Sequence, residues 1–232
     1  MQFAGPRTLL AIHAHPGDES TSTGGMLARY ARQGARTVVV TCTNGEFDDA
    51  ASGAVPGEFG HHPKAVAAHR RAELYAACDA LGISDLELLG YHDSGAAGEV
   101  PQGGFCTIPV ETAAGRLASL LEHFQPQVVV THYSTHRDHV HANRVAALAV
   151  QRTGIPAKLY LTAVDGSTTI DIAEVADVKR KALQCHASQQ LPGQFSLREH
   201  YFRKFDVTDA PLPESDLFAG ITTSGPDLPR WS

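Results

Sequence analysis

Short apolar runs alternate with amphipathic stretches along most of the chain, and polar residues follow the first four apolar runs. The apolar runs predict strands over residues 8–14, 35–43, 85–91, 126–133, 158–164 and 168–172, with a last extended segment over 199–207. The amphipathic stretches predict helices over residues 25–34, 63–82, 110–124, 140–154 and 174–189. This alternation predicts an α/β fold with a Rossmann-like, mostly parallel sheet and helices on both faces.

The fractions of hydrophobic and charged residues are those of an ordinary globular protein. The chain has 232 residues, of which 43% are hydrophobic and 19% charged, which predicts one domain over residues 1–232 with an irregular tail over 211–232. A formal net charge of −6 without a Lys/Arg run argues against a nucleic-acid partner. The apolar runs are too short for a membrane span and no signal peptide is recognisable, so we expect a cytoplasmic protein without a membrane partner.

Cysteine and histidine are distributed in different ways. The four cysteines are scattered and form no CxxC pair, which argues against a disulfide scaffold and against a thiolate zinc cluster. Of the 13 histidines, four lie in the short window from His132 to His141. Candidate chemistry therefore depends on histidine and carboxylate side chains.

A polar cluster follows each of the first four predicted strands, over residues 13–19, 43–49, 91–95 and 132–141. The carboxyl ends of parallel strands meet at one edge of the sheet, and ligands bind there at the point where the strand order reverses. The loops 48–64 and 94–106 begin near the same edge. They are either substrate-facing loops or mobile surface connections.

The first cluster reads His-Pro-Gly-Asp-Glu, where a dinucleotide-binding domain would carry GxGxxG. His15 and Asp18 are three residues apart on a tight turn, and the fourth cluster supplies His136, Asp138 and His139. Two histidine nitrogens and one carboxylate oxygen, with one position open for water, form the usual ligand set of a hydrolytic zinc site. The two clusters together therefore predict a metal site.

The spacing alone leaves alternatives for these residues. A histidine of this kind can be an ordinary surface residue, and Asp18 can be a helix cap. His132 and His141 compete with the other histidines as ligands. His13 competes as well, but it lies inside the predicted strand, which favours a packed or hydrogen-bonded core histidine.

Several motifs carry a resemblance to a known family: HAHPGDES, TSTGGMLARYARQGARTVVVTCTNGE, HRRAEL, ALGI, LLGYHDSG, THRDHVHANRV and VKRKALQCHASQ. From Thr8 to about Gln189 the chain resembles the LmbE/PIG-L family of zinc-dependent N-deacetylases. Within that family the motifs are most similar to the actinobacterial mycothiol enzymes, the GlcNAc-inositol deacetylase and the mycothiol S-conjugate amidase. The resemblance implies an LmbE-like fold and an enzyme that hydrolyses the amide of a small N-acyl metabolite.

The resemblance also implies roles for single residues. His15, Asp18 and His139 would hold one Zn²⁺ per chain. His136 would polarise the amide carbonyl and stabilise the oxyanion, and Asp138 would orient His136.

Glu46, Arg70 and Asp93 would line the sugar pocket by the same matching. From the residues alone, Glu46 can be a solvated turn acid and Asp93 a turn cap. Arg70 can form a surface pair with Glu73, three residues further along a helix. Glu19 is expected to support the ligand residues or the structure.

The chain departs from the family pattern at two places. The family's first motif reads A-H-P-D-D-E, in which the first Asp is the catalytic base, and this chain has Gly17 at that position. The mycothiol branch carries a longer glycine-rich loop with a tyrosine before the catalytic histidine, whereas this chain has only 133–135 there. The glycine leaves a space for another carboxylate, an ordered water chain or part of the substrate, with Glu46, Asp93 and His141 as candidates.

These observations favour a zinc-dependent amidohydrolase that acts on an N-acyl amino sugar or a similar small amide. The alternatives are a zinc-binding pseudoenzyme and an enzyme of the same scaffold with altered chemistry, in which a substrate group serves as the base. A metal-free Rossmann binding domain is disfavoured because the glycine fingerprint is absent. The sequence leaves the acyl group, the amine partner and the oligomeric state open, a homo-oligomer included.

Overall fold

The computed structural model describes residues 2–189, 191 and 193–225. Its strands are β1 (Gln2–Phe3), β2 (Thr8–His13), β3 (Arg36–Thr43), β4 (Asp85–Tyr91), β5 (Val128–Thr131), β6 (Lys158–Ala163), β7 (Thr168–Asp171), β8 (Arg198–Asp206) and β9 (Thr222–Thr223). Its α-helices are α1 (Asp18–Ser22), α2 (Gly24–Arg32), α3 (Pro63–Leu81), α4 (Val110–Phe124), α5 (Arg137–Thr153) and α6 (Ala176–Cys185). Short 3₁₀ turns cover Phe105–Thr107, Ala173–Val175 and Ala187–Gln189.

Seven of the strands form one sheet in the order β4-β3-β2-β5-β6-β8-β7. The first five strands in this order pair in parallel. β8 runs antiparallel to both β6 and β7, a direction that the apolar pattern of a strand does not encode. The predicted α/β fold with a mostly parallel sheet is confirmed.

Both faces of the sheet are buried, as the continuous apolar strands predict. Leu9 and Ala11 of β2 belong to a core that includes residues of α2, α3 and α6. Leu10 and Ile12 of the same strand belong to a second core that includes residues of α4 and α5. Because successive side chains of a strand point to opposite faces, polar groups are kept to the ends of the central strands.

The helices lie close to where the periodicity predicts them, apart from one helix that was not predicted and shifted ends in others. The short helix α1 was not predicted, since its residues Asp-Glu-Ser-Thr-Ser carry no apolar stripe. α6 covers only Ala176–Cys185 of the predicted 174–189, with 3₁₀ turns before and after it. α5 begins before the predicted residue 140, because His136 caps it by accepting a hydrogen bond from the backbone N–H of Asp138 at 3.3 Å. Within the described part of the chain, no helix has the length and apolar character that a membrane crossing needs.

The segment 211–225 contacts the body of the protein through buried residues. Glu214 accepts hydrogen bonds from Lys158 Nζ at 3.0 Å and from Thr168 Oγ1 at 3.1 Å. Leu217 and Phe218 are buried in the first core, and β9 pairs in parallel with β1. Residues 226–232 of the predicted tail lie outside the described residues.

Candidate metal centre and active site

The carboxyl ends of β2 and β5 lie side by side in the middle of the sheet, because these two strands pair directly. The chain leaves β2 toward β3 on one side and returns through β5 on the other side, so the strand order reverses between them. His15 and Asp18 follow β2, and His136 and His139 lie at the start of α5, directly after β5. The fold therefore brings the two predicted motifs together.

Asp18 lies at the centre of the resulting cluster. Its Oδ2 atom is 3.6 Å from Nδ1 of His15 and 3.2 Å from Nε2 of His139. Ligand atoms that each lie ~2.0–2.2 Å from a tetrahedral zinc ion are separated by roughly 3.4 Å. The spacing of these donors thus fits the ion that the resemblance implies.

Three groups of ligand atoms lie within 4.8 Å of one another among the described residues: His15, His136 and His139; His13, Asp18 and His132; and His15, Asp93 and Asp138. The predicted trio is divided between these groups. Exposure distinguishes the candidates, because His13 and His132 are 0% and 2% exposed and an ion between them would be sealed from a substrate. The side chains of His15, Asp18 and His139 are 12%, 15% and 18% exposed, which leaves an open side.

Two buried carboxylates fix the ring of His15. Its Nε2 atom lies 3.2 Å from Oδ2 of Asp138 and 3.5 Å from Oδ1 of Asp93. Since carboxylates accept hydrogen bonds, Nε2 carries a proton, and Nδ1 on the side of Asp18 is the nitrogen that an ion can bind in exchange for its proton. This is the arrangement that a metal ligand at Nδ1 requires.

The electrostatics of the cluster favour a bound cation. Burial opposes a charge on His15, but hydrogen bonds with Asp138, Asp18 and Asp93 outweigh it and raise the pKa of His15 well above its ordinary value. Burial likewise opposes ionisation of Asp18, yet His132, His139 and His15 together lower the pKa of Asp18 well below its ordinary value. Asp18 is therefore ionised at neutral pH, as a metal ligand must be.

His13 and His132 form a buried layer behind this cluster. His13 is hydrogen-bonded to Thr23 Oγ1 at 3.0 Å, and its Nδ1 lies 3.4 Å from Nε2 of His132. Burial, followed by the neighbouring His132, lowers the pKa of His13 to about 3. The ring of His132 stacks on that of His139 with centroids 4.0 Å apart. His13 thus lies in the environment of a core histidine, and His132 supports the position of His139.

His136 lies beside the cluster as a neutral, partly exposed imidazole. Its ring centroid is 4.9 Å from that of His15 and 5.0 Å from that of His139. Burial and then the neighbouring His15 and His139 lower the pKa of His136. Because Nδ1 accepts the backbone N–H of Asp138, the ring proton is on Nε2, where it can be donated to an oxyanion.

Asp138 contacts two histidines through different groups. Its backbone N–H reaches His136, whereas its carboxylate lies against His15 and accepts hydrogen bonds from the N–H of Ser94 at 2.9 Å and the Oγ of Ser94 at 2.5 Å. The carboxylate therefore orients His15 in this structure. Ser94 was not singled out in the sequence, although it belongs to the LLGYHDSG motif.

The space beside Gly17 is filled by a residue outside the proposed candidates. A Cβ atom added to Gly17 would lie 2.5 Å from Oε1 of Gln189. Of the candidates, Asp93 reaches the cluster through His15 and also accepts the N–H of Gly95 at 2.8 Å, as a turn cap does. Gln189 is the last residue of the VKRKALQCHASQ motif, and its place in that motif is the one sequence feature that could have pointed to it.

The other two candidates point elsewhere. Glu46 Oε1 lies 2.6 Å from His92 Nδ1, and Glu46 Oε2 accepts the N–H of Asp93 at 3.2 Å. Glu46 is buried rather than the solvated turn acid of the alternative interpretation. The ring of His141 packs edge-on against Phe105 with centroids 4.6 Å apart.

Arg70 connects the turns around the cluster. Its Nη2 donates to the backbone oxygen of Pro16 at 2.5 Å and to Oε1 of Gln189 at 2.7 Å, and its Nη1 donates to the backbone oxygen of Gly45 and to Asp48. The alternative of a surface pair with Glu73 is wrong, because Arg70 is 2% exposed. The helical spacing of the sequence indicates this burial. Arg70 and Glu73 lie on the same face of α3 as its buried apolar residues, which are Val66, Leu74, Ala77 and Leu81.

Two cavities border this edge of the sheet. One of about 700 Å³ has a largely apolar wall that includes Tyr133, Leu161, Phe195 and Phe202. One of about 400 Å³ is more polar and lies between residues of 48–53 on one side and residues 187–189 and 191 on the other. The first part of the loop 48–64 therefore lines a cavity, as expected for a substrate-facing loop.

Comparison with known proteins identifies the family. Residues 10–150 match the model of the PIG-L family, described as GlcNAc-PI de-N-acetylase, over more than half of the chain. The chain belongs to the PIG-L family. The candidate ligands His15, Asp18 and His139 lie inside the matched residues, whereas Gln189 lies outside them.

Relatives of this PIG-L chain include proteins named 1D-myo-inositol 2-acetamido-2-deoxy-alpha-D-glucopyranoside deacetylase. The protein from Acidothermus cellulolyticus is 39% identical over 173 residues, which are 69% of this chain and 59% of that protein. The protein from Thermobifida fusca is 31% identical over 92% of this chain and 99% of that protein. The chain thus spans about three fifths of the first relative's length.

Solved structures with the same fold carry more than one activity. The N,N'-diacetylchitobiose deacetylase of Pyrococcus horikoshii has a TM-score of 0.66 at 21% identity and covers 81% of this chain and 72% of that chain. The 4-carboxy-2-hydroxymuconate hydratase of Pseudomonas putida KT2440 has a TM-score of 0.65 at 24% identity, over 79% and 80%. At these identities the likeness establishes the fold of this PIG-L protein, and its reaction has to be argued from its own site.

Proposed function

We propose that the protein is a zinc-dependent amidohydrolase that removes the acyl group from an N-acyl amino sugar or a similar small N-acyl amine. The observation that carries this proposal is the Asp18 carboxylate between His15 and His139, at separations that suit a tetrahedral ion with one open side. The substrate class follows from the relatives, whose names describe deacetylation of an acetamido sugar linked to inositol.

The proposed roles of the residues follow from their contacts. His15 Nδ1, Asp18 Oδ2 and His139 Nε2 hold the ion. When bound, zinc lowers the pKa of its water to near neutrality and polarises the acyl oxygen. His136 would donate a hydrogen bond from its Nε2–H to the oxyanion that develops on the acyl oxygen. Asp138 orients the ring of His15 through the hydrogen bond at Nε2.

The substrate is proposed to reach this centre from the polar cavity. Asp48, Asp49 and Ser188 line it, and hydroxyl and carboxylate groups of this kind match the hydroxyls of a sugar. Arg70 is buried and supports that side of the site through hydrogen bonds to Asp48 and Gln189. Glu46 is also buried and holds the turn after β4 through the N–H of Asp93. Asp93 lies at the edge of the cluster and is proposed to bind the substrate there.

A second candidate function is metal-dependent chemistry of another kind on the same scaffold, or metal binding without turnover. The observation that favours it is Gly17, because the side chain that serves the family as base is absent from the first turn. Addition of water to a carbon–carbon double bond is one such reaction, given the hydratase with this fold.

Metal content tests whether the protein binds zinc, separately from whether it hydrolyses an amide. Elemental analysis of the purified wild type should give about one zinc per chain, and His139→Ala should lose most of it. His123→Ala is the matched control, since His123 is an exposed histidine on α4. Undiminished zinc in His139→Ala would rule out this ligand set.

Hydrolysis is tested on the same preparations. The zinc-loaded wild type should release a free amine from N-acetylglucosaminyl-inositol or from N-acetylglucosamine, as measured with an amine-reactive fluorophore. Zinc binding without amine release, together with hydration of a muconate-type acid, would replace amide hydrolysis by the second candidate.

A further inference from the structure

Gly17 occupies a backbone conformation that suits glycine, with φ +106° and ψ −28° directly before α1. An added Cβ would lie 2.5 Å from Oε1, 3.2 Å from Cδ and 3.3 Å from Nε2 of Gln189. Cβ atoms do not approach other heavy atoms to 2.5 Å. The carboxamide of Gln189 therefore takes up the volume in which a side chain at position 17 would begin.

Gln189 is held in this place from two sides. Arg70 Nη2 donates to its Oε1 at 2.7 Å, and its Nε2 lies 3.0 Å from Nδ1 of His186. His186 Nε2 lies 2.6 Å from Oε1 of Glu19 and donates to it, so Nδ1 of His186 accepts from the amide. These partners fix the amide orientation and hold Oε1 over Gly17.

Arg70 and Glu19 also hold the backbone of the turn that follows β2. Glu19 Oε2 accepts the N–H of Gly17 at 2.8 Å, and Arg70 Nη2 donates to the backbone oxygen of Pro16 at 2.5 Å. Arg70, Glu19 and His186 are each at most 2% exposed. Neither Gly17 nor Gln189 can move aside without breaking buried hydrogen bonds, which is costly in a low-dielectric interior.

We propose that Gln189 is a positioning residue that excludes a side chain from position 17, so that the two positions are energetically coupled. A carboxylate can enter position 17 only when the carboxamide of Gln189 is removed. The inference stands on the packing of the first turn, and only its activity measurement rests on the proposed function.

A double-mutant cycle in thermal stability tests the coupling. Gly17→Ala adds only the Cβ, and we expect it to lower the Tm by about 4–8 °C because it adds both backbone strain and the contact with Gln189. In the Gln189→Ala background the same change should lower the Tm by about half as much or less, because only the strain remains. Gln189→Glu is the matched control, since it keeps the volume and should keep the full loss.

The cycle overturns the proposal if the Tm losses of the two alanine substitutions simply add. Should Gly17→Ala fail to fold, recovery of a folded protein in Gly17→Ala/Gln189→Ala supports the coupling. A double variant that stays unfolded while Gln189→Ala alone folds contradicts it.

The rate of amine release gives a second measurement. This rate would not change between the variants below if Gln189 had only a structural role. With zinc loaded, Gly17→Asp/Gln189→Ala should release amine from N-acetylglucosamine at least ~10-fold faster than Gln189→Ala, a threshold set below the ~10²–10⁴-fold that a positioned general base contributes. Gly17→Asn/Gln189→Ala has the same size without a basic carboxylate and should show no gain.

The outcomes separate the two proposals. If no variant releases amine while the Tm coupling is present, the proposed function fails and the steric role of Gln189 stands. If Gly17→Asp in the wild-type background gains as much as the double variant does, Gln189 does not exclude a side chain and this inference is overturned.

Discussion

Two buried ionic clusters lie at opposite edges of the parallel part of the sheet, and they differ in how their charges are matched. At the amino end of β6, Lys158 donates to Glu214 Oε2 at 3.0 Å, and Glu214 also accepts from Thr168 Oγ1 at 3.1 Å and from the hydroxyl of Tyr160. Lys158 is completely buried. This amino-end cluster pairs each charge with a donor or acceptor of opposite kind, so it is closed.

The cluster at the carboxyl ends of β2 and β5 has an excess of acceptors. Asp18, Asp93 and Asp138 converge on His15, and no lysine or arginine nitrogen within salt-bridge distance of these three carboxylates occurs in the described chain. Unpaired negative charge is costly in a buried site unless a cation is present. The comparison teaches that a matched ionic cluster holds the fold together, whereas an unmatched cluster with an open side marks a site for a ligand.

The largest expected effect comes from unbalancing the amino-end cluster. Lys158→Met removes the nearer cation from the buried Glu214 and leaves only Arg203, whose Nη1 lies 3.5 Å from Glu214 Oε2. Breaking a buried ion pair in this way should lower the free energy of unfolding by about 3–5 kcal/mol. Urea denaturation measures the loss. Lys158→Met/Glu214→Gln removes both charges and should recover most of the stability. Equal losses in the single and the double variant would show that the charges are not matched to each other.

Removing His136 tests the open side of the metal cluster. His136→Ala should reduce kcat by about 10²–10³-fold, the scale for one oxyanion donor, while zinc content stays at the wild-type level. His123→Ala serves as the exposed control. Loss of zinc in His136→Ala would make His136 a ligand, in agreement with its place in a group with His15 and His139.

A smaller effect is expected from the carboxylate that orients His15. Asp138→Asn keeps the shape but weakens the acceptor at Nε2, so zinc affinity should fall about 10–100-fold. Competition with a chromogenic chelator measures it, and Asp177→Asn on the exposed face of α6 is the control. An unchanged affinity would mean that the carboxylate of Asp138 is structural, like that of Glu214.

The smallest effect concerns a closed pair beside the open cluster. Burial opposes ionisation of Glu19, but the hydrogen bond with His186 outweighs it and lowers the pKa of Glu19 from 4.5. A lowered folded-state pKa stabilises the protein above pH 4.5, and this contribution is lost as the pH falls through the folded-state pKa. Stability should thus fall by at most about 1.4 kcal/mol per pH unit there, and Glu19→Gln should flatten this part of the profile. An identical slope in Glu19→Gln would assign the dependence to other carboxylates.

Sequence patterns predicted most of the strands and helices because burial on both faces leaves long apolar runs and clear helical stripes. They did not predict α1, whose five residues are held by tertiary contacts rather than by an apolar face. They also missed the direction of β8, since alternation along a strand is the same in parallel and antiparallel pairing.

The candidate site was predictable where the chemistry resides in local motifs. His15 and Asp18 follow a strand end, and their spacing could be read directly, whereas His139 was chosen among the neighbouring histidines by the family resemblance. The environment of Arg70 and the contact of Gln189 with Gly17 could not, because both depend on packing between residues far apart in the chain. Local spacing contains no information about which distant side chain fills a gap.

The contact between Glu19 and His186 joins residues 167 positions apart. During synthesis the strands β2, β3 and β5 and all three candidate ligands emerge before the turn Ala187–Gln189, which fills the space beside Gly17. Long-range contacts of this kind form late because chain closure over such a distance is entropically slow. The turn after β2 is therefore completed only when α6 and the residues after it dock. A nascent chain that has not reached residue 189 has its candidate ligands but not the side chain that fills the space beside Gly17.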